Sequence, residues 1–70
     1  MKISASEVKK GQKIEVDMGY GCHENWQICK VLSVEKGKGL FDNDLIYIDV
    51  DYCESRINCS FDPNQEVEII

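Results

Sequence analysis

The sequence predicts an all-β domain: about five short antiparallel strands following one short N-terminal helical turn. Three observations predict it. Apolar and polar side chains alternate in Gln12–Met18 and again in Leu45–Tyr52. Trp26–Glu35 is crowded with β-formers, namely Trp26, Ile28, Val31, Leu32 and Val34. Glycine, proline and asparagine fall between these segments as turn signals.

The opening residues read as one or two helical turns. Ser4 is placed to cap them, with Glu7 three residues on as in a capping box. Gly11 suits the left-handed residue that ends such a turn. In the first strand, Ile14, Val16 and Met18 face one way and Lys13, Glu15 and Asp17 the other. Gly19-Tyr20-Gly21 then opens a loop through Asn25. Trp26–Glu35 predicts a long strand with a bulge, because its apolar positions change phase and a bulge shifts phase by one residue. Lys36-Gly37-Lys38-Gly39 is expected to turn, and Leu40–Asp44 to be irregular.

The next strand places Ile46, Ile48, Val50 and Tyr52 on one face and Tyr47, Asp49 and Asp51 on the other. Its partner is Arg56–Phe61. Pairing Tyr52 with Ile57 puts Val50 opposite Cys59 and Ile48 opposite Phe61, so one register aligns three apolar pairs. Asp62-Pro63-Asn64 is a turn signal. The last strand, Glu66–Ile70, turns Val67 and Ile69 inward, with Ile14–Val16 as the expected neighbour. About five strands in one domain, residues 1–70, fit a small antiparallel barrel or sandwich, since closure removes exposed edges.

The opening Glu7-Val8-Lys9-Lys10-Gly11-Gln12-Lys13-Ile14-Glu15-Val16, with Asp62-Pro63 before a final strand, resembles SH3-like small barrels across most of the chain. That resemblance implies a five-stranded antiparallel barrel. It implies a binding role, since such barrels read peptides, bind nucleic acids or act as adaptors. The aromatic-rich peptide groove of a true SH3 domain has no counterpart in this sequence, so no site residues carry over.

Composition narrows the function classes. The 70 residues are 43% hydrophobic with a net charge of −5. No apolar run is long enough to span a membrane. No signal-peptide core opens the sequence, so a reducing cytoplasm with free thiols is expected. Catalysis has little to work with. His23 is the one histidine, beside Cys22 and Glu24 in a loop, and adjacency in sequence does not build a nucleophile–base pair. Gly19-Tyr20-Gly21 and Gly37-Lys38-Gly39 are turn glycines rather than phosphate loops. No cofactor is expected. A zinc-stabilised alternative would draw on Cys22, His23, Cys29, Cys53 and Cys59, yet neither cysteine pair has the two-to-four-residue spacing of a zinc knuckle. Asp42-Asn43-Asp44 lacks the closing glutamate of a calcium loop.

Charge is divided along the chain. Residues 1–38 carry seven lysines against five carboxylates, +2; residues 39–70 carry Arg56 against eight carboxylates, −7. A phosphate backbone would be repelled by the second half. A nucleic-acid-binding alternative would rest on Lys9, Lys10, Lys13, Lys36 and Lys38. The acidic half instead fits a protein partner with a basic surface. The expected contacts are Tyr20, Trp26, Phe41 and Tyr47 with Asp42, Asp44, Asp49, Asp51 and Glu54. The overall expectation is a small non-catalytic protein-binding module, such as an acidic accessory or inhibitor protein of a phage or mobile element.

Overall fold

Alternation of apolar and polar side chains buries one face of Lys13–Asp17 and of Asp44–Tyr52, and the computed structural model, which describes residues 1–19 and 25–70, is all-β. Tyr20, Cys22, His23 and the rest of the predicted loop from 20 to 24 lie outside the described residues. Among the described residues six strands are present: β1 (Lys2–Ser4), β2 (Lys13–Asp17), β3 (Trp26–Lys38), β4 (Asp44–Tyr52), β5 (Ser55–Phe61) and β6 (Glu66–Glu68). The central sheet runs β2-β3-β4-β5, and β1 pairs with β6 in a second sheet. All these pairings are antiparallel. Ile14, Val31, Ile46, Ile48 and Val50 centre the core, with no buried polar or charged residue among those described.

Among the described residues the strands number six where about five are expected. Lys2–Ser4 is too short to show a period, and it takes the place beside β6 expected of Ile14–Val16: Ile3 lies opposite Val67. The expected neighbour survives at one point, a bridge between Ile14 and Ile69, with the Ile70 N–H donating to the Lys13 carbonyl at 2.9 Å. The helical turn is a single 3-10 turn, Ala5–Glu7, and Ser4 occupies its N-cap without a side-chain hydrogen bond. Gly11 has a φ of +92°, the left-handed conformation expected there.

The bulge in β3 falls between Val31 and Ser33, so Cys29 and Val31 before it and Val34 after it all reach the core side. The expected turn at Lys36–Gly39 moves outward by several residues. The strand continues through Lys38, and the chain reverses where Asp42 donates to the Gly39 carbonyl and Gly39 to the Asn43 carbonyl. Gly37 stays in the strand because the Tyr47 ring lies over it: a Cβ there would sit 2.7 Å from Tyr47 Cε2. The Tyr47 hydroxyl donates to the Lys38 carbonyl at 3.0 Å, which fixes the ring in place.

The β4–β5 hairpin corrects the expected register by two residues. Tyr52 pairs with Ser55, Val50 with Ile57, Ile48 with Cys59 and Ile46 with Phe61. A slip of two keeps every side chain on its face, so the apolar set was assigned to the correct side although its partners were not. The cause is the loop, which has two residues instead of four. Cys53 and Glu54 adopt φ of 51° and 66°, as a type I′ turn requires. Neither residue favours that region, which costs a non-glycine residue about 1–2 kcal/mol. Replacing Cys53→Asn together with Glu54→Gly is therefore expected to stabilise the fold by about 1–2 kcal/mol. That is a melting temperature higher by about 5–10 °C for a chain of this size. An unchanged or lower melting temperature by circular dichroism would contradict the turn assignment.

Candidate partner-binding cleft

The carboxylates of β4 meet cations from the strands on either side, Asp49 and Asp51 on the face opposite the core and Asp44 at the strand's end on the core side. Asp44 accepts from Lys38 Nζ at 2.7 Å. Asp49 lies at the centre of a cross-strand network: its carboxylate accepts from Arg56 Nε and Asn58 Nδ2, each at 2.7 Å, and from Ser33 Oγ at 3.3 Å. Arg56 Nη2 also donates to Ser33 Oγ at 3.1 Å. Asp51 sits between Lys30 on β3 and Arg56 on β5. The carboxylates expected to meet a partner are thus partly matched within the sheet. Tyr47 covers Gly37, while Glu54 is exposed in the tight turn. Phe41 is 91% exposed beside Leu40 at 100%, and with Asp42 they form the tip of the β3–β4 hairpin.

These pairings set the acid response. Hydrogen bonds from Asn58 and then Arg56 hold Asp49 below its ordinary carboxylate value. The Lys38 ammonium does the same for Asp44. The backbone N–H groups of Asn25 and Gly19 do it for Asp17. A group whose folded pKa is depressed contributes stability above its unfolded value, near about 3.9, and loses it as pH falls through the folded value. Melting temperature is therefore expected to hold from neutral pH down to about 4 and to fall below it. Asp49→Asn should flatten that fall. A melting temperature constant between about pH 4 and pH 2 would contradict it.

A cleft lies elsewhere. It has a volume of about 510 Å³ and lies between the two edges of the central sheet, β2 and β5, with β6 alongside. Glu15 and Asp17 from β2 and Glu66 and Glu68 from β6 line it, against Lys2 as its one lysine. Trp26, 56% exposed, lies at its margin opposite Asp17, and Ile28, 57% exposed, follows on the same face of β3 opposite Glu15. Asp17 Oδ1 accepts from the N–H groups of Gly19 and Asn25, each at 2.9 Å, so it fixes the rim while keeping its negative charge. Glu68 lies 3.4 Å from the Met1 amine. Of the expected contacts among the described residues, Trp26 alone lines this cleft. Glu15, Glu66 and Glu68 hold outward strand positions that the sequence alone does not single out. Their signal was two short acidic alternations, Glu15-x-Asp17 and Glu66-x-Glu68, and joining them requires knowing that the ends of the chain meet.

The lysines divide into two groups. Lys9 and Lys10 lie in the turn before β2, and Lys13 faces Lys30 across β2–β3. Lys36 and Lys38 sit at the far end of β3, six residues from Lys30, or about 20 Å at roughly 3.3 Å per residue. Among the described residues no group of three or more His, Cys, Asp or Glu could hold a metal ion. Cys29 is buried, Cys59 half-buried and Cys53 exposed. Burial pushes the Cys29 and Cys59 thiols up, which keeps them protonated and unreactive.

No protein-family description, curated protein or solved structure showed significant similarity to the chain.

Proposed function

We propose that this chain is a non-catalytic protein-binding module that takes a partner through a basic surface. The observation that carries the reading is the acidic cleft between β2, β5 and β6, where four carboxylates face one lysine beside an exposed tryptophan. Carboxylates in excess over cations in a concave site focus the field and draw cationic groups, and a tryptophan at the margin offers apolar area. In this reading the chain is a small SH3-like barrel whose wall is open between β2 and β5. The exposed hairpin tip at Phe41 and Asp42 is a second contact, of the kind an accessory or inhibitor protein would use. The divided lysines weigh against a phosphate backbone as partner, since no single face gathers them.

Fluorescence anisotropy tests this with two labelled probes, a short peptide alternating lysine with valine and a DNA duplex, each at low and at physiological salt. Saturable binding of the peptide that weakens with salt, and no binding of the duplex, supports the reading. Salt-sensitive binding of the duplex without the peptide overturns it.

A further inference from the structure

We infer that the partner's segment binds as an added β-strand in the seam between β2 and β5. This rests on the protein-binding reading above and says how the partner is held. The backbone direction of each edge follows from hydrogen bonds already described. The Lys13 carbonyl accepts from Ile70, on the side of β2 away from β3. Residues two apart in a strand share a side, so Glu15 and Asp17 aim N–H and C=O the same way. Met18 confirms the alternation, since its N–H donates to Asn25 on the β3 side.

On β5 the two-residue turn decides. It makes Tyr52–Ser55 the hydrogen-bonded closing pair, so Ile57, Cys59 and Phe61 spend their backbone groups on β4. Arg56, Asn58 and Ser60 then aim theirs at the open side. Asp17 and Ser60, one from each edge, line the same cleft. β6 runs antiparallel along this edge as far as Glu15: the Ile14–Ile69 bridge takes the Lys13 carbonyl and, by antiparallel geometry, the Glu15 N–H, so Asp17 is the residue of β2 whose backbone groups face the cleft. An extended chain laid in the seam would find backbone partners on both walls and would complete the sheet.

Charge and alternation select the occupant: an extended segment of another protein, with Lys or Arg at every second position and apolar residues between. Side chains level with Glu15 and Asp17 share their outward face, where a cation is favoured. Those level with Val16 point inward, where an apolar group is favoured. A second copy of this chain fits less well, since its own edges would bring Glu15 and Asp17 against carboxylates again.

The test is amide hydrogen exchange by NMR on the intact protein, with and without the alternating lysine–valine peptide. A second peptide of the same sequence carries N-methyl groups on alternate residues, which removes backbone donors and keeps the charge. Strand addition predicts exchange at Asp17, Asn58 and Ser60 slowed by about tenfold or more, and affinity for the methylated peptide lowered by about tenfold or more. Equal affinity for both peptides with those amides unchanged overturns strand addition and leaves the binding reading standing. No binding of either peptide overturns the binding reading itself. Protection that rises with protein concentration in the absence of peptide overturns the proposed occupant in favour of a second copy.

Discussion

Ile48→Ala is expected to lower the unfolding free energy by about 3–4 kcal/mol. Ile48 is 0% exposed in the middle of β4, which is bonded to strands on both sides. Its neighbours across the sheet are Val34 on β3 and Cys59 on β5. Truncation removes apolar contacts and leaves a cavity, since antiparallel neighbours fixed by their own hydrogen bonds cannot collapse into it. A chain of this length has about 4–10 kcal/mol of stability in all, so the variant loses about a third or more of it. The melting temperature should fall by about 12–25 °C. Phe41→Ser is the matched control: the ring is 91% exposed, and its loss should change stability by less than about 0.5 kcal/mol. Denaturant unfolding of the three proteins measures this. An Ile48→Ala variant within about 1 kcal/mol of the parent would contradict the core assignment.

The largest effect on binding is expected at the cleft. Glu15→Lys and Glu66→Lys should each weaken binding of the alternating lysine–valine peptide by about tenfold, and the double variant by about a hundredfold. Each substitution replaces an attraction with a repulsion of similar size. At about 4 Å near a protein surface a unit pair interacts by up to about 4 kcal/mol before salt screening, so a tenfold loss asks for a fraction of the available energy. Neither side chain is buried, and the fold should tolerate both changes. Asp44→Asn is the control at a carboxylate outside the cleft. Its charge is already met by Lys38, and the change should alter affinity by less than about twofold. Equal losses at Asp44 and Glu15 would mean that net charge, rather than the cleft, draws the peptide.

Why some features were legible in the sequence and others were not has a physical basis. Alternation in Lys13–Asp17 and Asp44–Tyr52 gave the inward faces, because burial of one face is a local consequence of a period of two. The phase change in Trp26–Glu35 located a bulge for the same reason. Register was not legible. Two residues of slip leave the pattern intact, and the turn that fixes the register uses Cys53-Glu54 in place of the asparagine and glycine that would have marked it. Gly37 read as a turn because the ring that holds it in β3 comes from Tyr47, on another strand.

The candidate site was the least legible part. An excess of carboxylates in residues 39–70 drew attention to Asp42, Asp44, Asp49 and Asp51, but sequence does not show that Lys38 and Arg56 meet two of them across the sheet. The cleft joins Glu15 to Glu66, which the chain keeps far apart until β1 and β6 pair and Ile69 reaches Ile14.

The central claim is that the acidic seam takes a basic partner, and capture with matched baits tests it most directly. The parent protein and the Glu15→Lys, Glu66→Lys double variant are immobilised at equal density, exposed to the same cell extract at physiological salt, and the retained proteins identified by mass spectrometry. The account predicts a protein held by the parent and lost from the double variant, whose contact region is an extended segment rich in lysine or arginine. Identical sets of proteins on the two baits would contradict it.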